Sequence, residues 1–226
     1  MISAFIKAFE QLPEPSLRRV LLKGLFGAIL ALAAIWYGAD ALLDNTKLFS
    51  WGWMESIADI GGIVAIVIII FLLFPTIVTL VVSFFLEEAA VAVEAKHYPG
   101  LPPARPQPIS EVLAITLKFT FLAIVLNILA LPLYFVPLVN LFVFYLLNGY
   151  FLGREYYELV AHRRIEPPAA RSLRKRVRWQ VLFSGAVIAF LMTIPIVNLI
   201  APIVATAAMV HLVEGWRGSA NITEVR

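Results

Sequence analysis

Residues 60–86 contain no Asp, Glu, Lys or Arg. As a helix this run would be roughly 40 Å long, more than the hydrocarbon core of a bilayer. In lipid a helix can satisfy all of its own backbone groups, so an uncharged run of this length predicts a membrane span. Composition agrees: the 226 residues are 61% hydrophobic and 15% charged, with a mean hydropathy of +0.88. The expected fold is an all-α integral membrane protein forming a single membrane domain over residues 1–226. The chain has no cysteine, which excludes disulfides, thiolate metal sites and cysteine nucleophiles. The apolar run from Val20 lacks a small-residue cleavage site and is followed by further apolar segments, so it reads as a span and not a signal peptide.

Two later apolar runs are broken by one pattern. It occurs as Val136-Pro-Leu-Val-Asn-Leu-Phe142 and as Thr193-Ile-Pro-Ile-Val-Asn-Leu-Ile200, with the prolines 58 residues apart (195 − 137). Proline removes a backbone donor and clashes with the preceding turn. The Asn amide, if it lies at membrane depth, needs a partner from protein or water. The arms at 141–152, 181–194 and 199–213 would be only about 18–22 Å long at 1.5 Å per residue, short for a crossing. Arm length therefore favours two partly inserted helical hairpins, and Pro-kinked full spans are the other reading. Irregular backbone at a hairpin tip must be buried in protein or line a watery cavity. That implies an oligomer, a polar pathway, or both.

The remaining segments fall into place around these. Residues 1–15 read as an amphipathic interfacial helix, with Ile2, Phe5, Ile6, Phe9 and Leu12 on one face and Lys7, Glu10 and Gln11 on the other. Long helices are predicted over 17–39 and 60–97. The first carries a small-residue face of Gly24, Gly27, Ala28, Ala31 and Ala34. The second is expected to tilt or kink at Pro75 and to continue past the membrane through Glu87, Glu88 and Glu94. The acidic loop 40–59 between them holds Asp40, Asp44, Glu55 and Asp59 against Lys47, with Trp51 and Trp53 as interface anchors. Hairpins over 110–152 and 181–213 flank a basic segment, 153–180. Of 18 Lys and Arg, 17 (18 − 1) lie outside the 40–59 loop. The positive-inside rule then puts both termini and the basic segment in the cytoplasm. Two spans with two hairpins satisfy this rule, and so do six full spans.

No enzymatic motif is present. His97, His162 and His211 are scattered along the sequence and lack metal-ligand neighbours at helical spacing, and no Gly-x-Ser-x-Gly or phosphate-cradling loop occurs. No metal, cofactor or catalytic residue is expected, and a satisfied or interfacial histidine is the expected role of His211. Three groups of polar residues stand out. Ser16-Leu-Arg-Arg19 opens the first span, where free N–H groups of Leu17, Arg18 and Arg19 and two guanidinium groups would suit an oxyanion. The same arginines would also serve as ordinary positive-inside anchors. Arg154 and Glu155, with Tyr156, Tyr157 and Glu158, could pair with one another or with Glu87 and Glu88. Asn127, Asn140, Asn148 and Asn198 could hydrate a permeation route or bond helices together.

Pro15-Ser-Leu-Arg-Arg19 ahead of the first span, Ile194-Pro-Ile-Val-Asn-Leu-Ile-Ala-Pro202 and its earlier echo resemble the CysZ sulfate permease family, which shares a domain with etoposide-induced membrane proteins. The likeness extends over nearly the whole chain. It implies sulfate uptake across the bacterial inner membrane for cysteine biosynthesis by a multi-pass helical protein. It also implies two long spans, two partly inserted hairpins and assembly as a homo-oligomer. In the family a Gly-Leu-Arg-type turn before the first span binds sulfate. That role maps onto Ser16, Leu17, Arg18 and Arg19, with Ser16 where Gly is usual. The expected partners are sulfate, the lipid bilayer and further copies of the chain, with no nucleic acid. Outside this resemblance, the same features would suit a non-transporting oligomeric scaffold or a less selective anion channel.

Overall fold

The computed structural model describes residues 1–44 and 52–220, and these are all-helical. Ten helices follow one another among the described residues: α1 Ile2–Gln11, α2 Pro15–Asp44, α3 Gly52–Ser83, α4 Leu86–His97, α5 Ile109–Tyr134, α6 Val139–Ala161, α7 Pro167–Arg176, α8 Arg178–Thr193, α9 Pro195–Asn198 and α10 Ala201–Ser219. Prolines open α2, α7 and α9, where a missing N–H costs nothing. Helices α2 and α3 extend well into the region read as a polar loop. The side chains of Asp40, Asp44, Glu55 and Asp59, together with Lys47, Trp51 and Trp53, lie outside the described residues.

Among the described residues two helices are long and apolar enough to cross a membrane: α2 over Pro15–Ala39 and α5 over Ile109–Tyr134. A third candidate is α3, which bends by 46° between Gly61–Phe74 and Thr76–Ser83, at the proline where a kink is expected. The single helix anticipated over 60–97 is thus not continuous. The Ser83 hydroxyl donates to Leu80 O at 2.6 Å, and Phe84 and Phe85 donate to Val81 and Val82 at 3.2 and 2.8 Å. These bonds to the third residue back tighten and end the α-ladder, and α4 starts afresh at Leu86. On the α2 side, Gly24 and Gly27 face Val82 and Val81 of α3, and Ala28 is fully buried.

Helices α5 and α6 form an antiparallel hairpin, with the Phe119 and Phe151 rings meeting edge to face at 5.9 Å. Its first arm starts where the 110–152 hairpin was expected to start. Helix α5 has 26 residues, carries Pro132 inside its last turns and exposes almost all of its length, with only Ala130 buried. The tip is a tight γ-turn: Leu138 sits at φ 66°, ψ −40°, and Val139 N donates to Pro137 O at 2.8 Å. That conformation is strained for a side chain bearing a Cβ.

The second Pro/Asn segment is built differently. Ile194 is extended, and α9 is a single turn that leads into α10. Helix α8 packs chiefly on α6, whereas α10 packs on α1, α4 and α6. The arms of the second expected hairpin are therefore splayed. Residues 201–213 of α10 are buried throughout, making this helix the central post of the bundle. Helix α1 docks on it through Ala4, Phe5 and Ala8, leaving Ile2, Ile6 and Phe9 exposed. The apolar residues of α1 thus divide between protein and surroundings, and do not form one outward face.

Lipid tails are as apolar as leucine, so packing of small residues, and not hydrophobicity, brings membrane helices together. The α6–α8 contact depends on this. Gly149 and Gly153 of α6 meet Gly185 of α8, and a Cβ on Gly185 would overlap Gly149 O and the Gly153 backbone. Gly215 of α10, by contrast, has open space around its Cβ position. Replacing an interior helical glycine by alanine gains about 1 kcal/mol of helix propensity, whereas overpacking costs about 1–3 kcal/mol. Gly185→Ala should therefore lower the thermal midpoint in detergent, and Gly215→Ala should leave it unchanged or raise it.

Candidate functional site

The side chains best placed to do chemistry gather at one end of the bundle. Glu87 and Glu94 lie two turns apart on α4. The turn after α6 supplies His162, Arg163 and Arg164, and the proline-rich segment between α4 and α5 supplies Arg105. The backbone joins the two stretches, as Arg105 N donates to Arg163 O at 2.8 Å.

Arg163, only 4% exposed at its side chain, donates to both oxygens of the equally buried Glu94 at 3.1 Å and to Glu87 at 2.7 Å. Arg164 also pairs with Glu94 and donates to Pro102 O. Burial pushes the Glu94 carboxyl pKa up, but hydrogen bonds from Arg163 and Arg164 outweigh it, and the net shift is downward. Arg105 chelates Glu111 through two hydrogen bonds. Arg154 bonds Glu158 at 2.8 Å, with Arg174 at 3.8 Å from the same carboxylate. Burial lowers the pKa of His162. A cleft of about 810 Å³ opens among Arg105, Gln107, Thr116, Phe119, Glu155 and Arg163. Glu155 makes no ion pair among the described residues. It is exposed to the cleft, yet the protein crowding around it pushes its carboxyl pKa up.

Across this cluster Arg105, Arg154, Arg163, Arg164 and Arg174 are matched by Glu87, Glu94, Glu111, Glu158 and Glu166. Balanced and mutually bonded charges hold helices in register and leave little field for an anion. The cluster is therefore first a structural lock. Among the described residues no group of three His, Asp or Glu could hold a metal ion.

The sequence-nominated residues are dispersed. In the Ser16–Arg19 turn, Arg18 N donates to Glu14 O at 2.8 Å, and from Arg19 onward the amides feed the α2 ladder. The free early donors are thus Ser16 and Leu17, a correction to the expectation that the Arg18 and Arg19 amides are available. The Leu17 side chain is buried, whereas Ser16, Arg18 and Arg19 are exposed. Neither arginine makes an ion pair among the described residues. Ser16, Arg19 and Lys23 line one wall of a cleft of about 590 Å³, and Glu87 and Glu88 lie across it. Lys23 bonds Glu88 at 2.6 Å.

The other nominated pairings divide. Arg154 pairs within its own helix with Glu158. Glu87 and Glu88 bond Arg163 and Lys23, and buried Tyr157 donates to Ala170 O at 2.7 Å, with Tyr156 buried beside it. Asn127 and Asn148 donate to Ala123 O and Phe144 O of their own helices, each at 2.8 Å, so these two amides do not bridge helices. Asn140 is exposed and Asn198 half-buried at the two breaks. His211 is satisfied, as expected, bonding Gln11 at 2.8 Å and Tyr98 at 2.9 Å. It also meets the His97 ring edge-on at 5.2 Å, so two of the three dispersed histidines come together in space.

Glu94, Arg105, Arg163 and Arg164 escaped the sequence reading as a site. The available signals were the seven-residue spacing of Glu87 and Glu94 and the Arg-Arg pair just past the end of α6. Removing one partner of a buried ion pair typically costs roughly 3–5 kcal/mol, and Glu94→Gln should destabilise by about that much near neutral pH. The folded Glu94 pKa lies below the unfolded one. Its contribution is therefore fully present above the unfolded pKa and lost as pH falls through the folded pKa. Denaturant melts of both proteins should show the gap closing on acidification below the ordinary carboxylate range.

Comparison with known proteins places these features in a family. No curated protein matches the chain. A family model described as Sulfate transporter CysZ/Etoposide-induced protein 2.4 matches residues 4–202. The match takes in the Ser16–Arg19 turn, the charged cluster and both Pro/Asn breaks. The chain belongs to the sulfate transporter CysZ/etoposide-induced protein 2.4 family.

Proposed function

We propose that the chain is a sulfate permease or channel of the bacterial inner membrane, working as a homo-oligomer and supplying sulfate for cysteine biosynthesis. The family match over residues 4–202 carries this reading. The geometry supports it at the start of α2. There the Ser16 hydroxyl, the amides of Ser16 and Leu17, and the guanidinium groups of Arg18 and Arg19, which make no ion pair among the described residues, offer donors to a doubly charged tetrahedral ion. The long exposed flank of α5 and the polar backbone at the two breaks favour contact with further copies of the chain. Asn140 and Asn198 sit at those breaks, where their amides would meet water in a permeation route.

Radiolabelled sulfate flux into proteoliposomes, with chloride and phosphate as competitors, tests the proposal directly. Each charge-assisted hydrogen bond contributes roughly 1.5–3 kcal/mol. Arg18→Ala and Arg19→Ala should each weaken sulfate binding about ten- to a hundredfold while insertion and assembly persist. Lysine at either position should restore only part of the loss, because it keeps the charge and loses the planar fork. Full rescue by lysine, with altered orientation of the alanine variants, would mark the pair as topological anchors. Absence of flux from a correctly assembled protein would leave an oligomeric scaffold as the better reading.

A further inference from the structure

A second cationic feature lies apart from the α2 turn, where α7 gives way to α8. There Val177 joins the basic end of α7, with Arg174, Lys175 and Arg176 in its last turn, to Arg178 at the start of α8. A groove of about 210 Å³ opens at this junction. Arg154, Arg174 and Arg178 line it together with Tyr150, Trp179 and Leu182. The three arginines are unequally committed. Arg154 is held by Glu158 at 2.8 Å, Arg174 lies 3.8 Å from that same carboxylate, and Arg178 makes no ion pair among the described residues. The Arg178 guanidinium instead lies over the Trp179 ring, 5.3 Å from its centroid.

The groove is amphipathic. Three arginine side chains line it beside aromatic and aliphatic ones. Trp179 and, one turn on, Phe183 are about 60% exposed and continue the apolar lining along α8. A free oxyanion would use the arginines and leave the apolar lining without a role. A phosphodiester whose glycerol and acyl chains follow it would use both. The groove can take a headgroup but not a whole lipid, so the chains would run over Trp179 and Phe183. Tryptophan at the headgroup level and arginine beside it are what an anionic leaflet selects.

We propose that this groove is a binding site for the headgroup of an anionic glycerophospholipid. Arg174 and Arg178 clasp the phosphate, Arg154 stands behind them, and Trp179 packs on the glycerol and the first methylenes. The site is independent of the sulfate reading and does not share residues with the α2 turn.

Native mass spectrometry of the purified full chain tests this with dioleoyl phosphatidylglycerol and dioleoyl phosphatidylcholine as probes. Phosphatidylglycerol should be retained at least about tenfold more strongly than phosphatidylcholine, and Arg174→Gln with Arg178→Gln should remove about tenfold or more of that preference. Lys175→Gln, on the same helix but outside the groove lining, should leave it nearly unchanged. Millimolar inorganic phosphate or sulfate should not displace the lipid. Arg178→Gln alone, which breaks no ion pair, serves as the test if the double variant fails to fold. Equal retention of the two lipids would overturn the proposal. So would an equal loss in Lys175→Gln, which would indicate only diffuse surface charge, or displacement by the inorganic ions, which would make this a free-anion site.

Discussion

Glu94 is one carboxylate shared by two guanidinium groups, and the basic end of the molecule depends on it. A buried charge is tolerated only when paired and fully hydrogen-bonded. Here Arg163 takes both Glu94 oxygens and Arg164 returns to one of them. Because α4 holds the acid and the end of α6 the bases, the pairing fixes two elements distant in sequence. Arg164 also reaches Pro102 O, and Arg105 N reaches Arg163 O, so the proline-rich segment is pinned at the same place. Helix α10 packs on both α4 and α6, and the lock thereby sets the walls around the central post.

Away from that end, shape carries the structure. The α6 and α8 backbones approach as closely as they do only because Gly149, Gly153 and Gly185 carry no Cβ. The Leu138 turn stores strain of about 1–3 kcal/mol and persists because the α5–α6 packing defines where the chain must reverse. The second break needs no such residue, since α8 and α10 diverge after it. Two copies of nearly one sequence pattern thus adopt different backbones, each following the partners of its flanking helices.

The distribution of unpaired cations separates structure from recognition. In the large cleft every arginine has a carboxylate, so the field largely cancels. Arg18 and Arg19 at the start of α2, and Arg178 at the start of α8, have no acidic partner among the described residues. A multivalent anion is attracted to the uncancelled groups, and the family match points to sulfate as the ion to test at the first of them.

The class of molecule was legible in the chain, because an uncharged run longer than a bilayer has few other solutions. The proline positions also marked real breaks: α3 bends at Pro75, and the helices stop around Pro137 and Pro195. Such features are local, set by backbone donors and sterics within a few residues. The tertiary structure decided the rest. It split the helix expected over 60–97, splayed the second hairpin and brought Glu94 to Arg163 and Arg164. The Arg18 and Arg19 amides were misjudged for a comparable reason, since whether they are free depends on which residue the helix ladder starts from. Sequence periodicity records which face of a helix is apolar, but not which of several apolar faces will meet it. That choice is made by the close fit of small residues and by the need to pair buried charge across the whole fold.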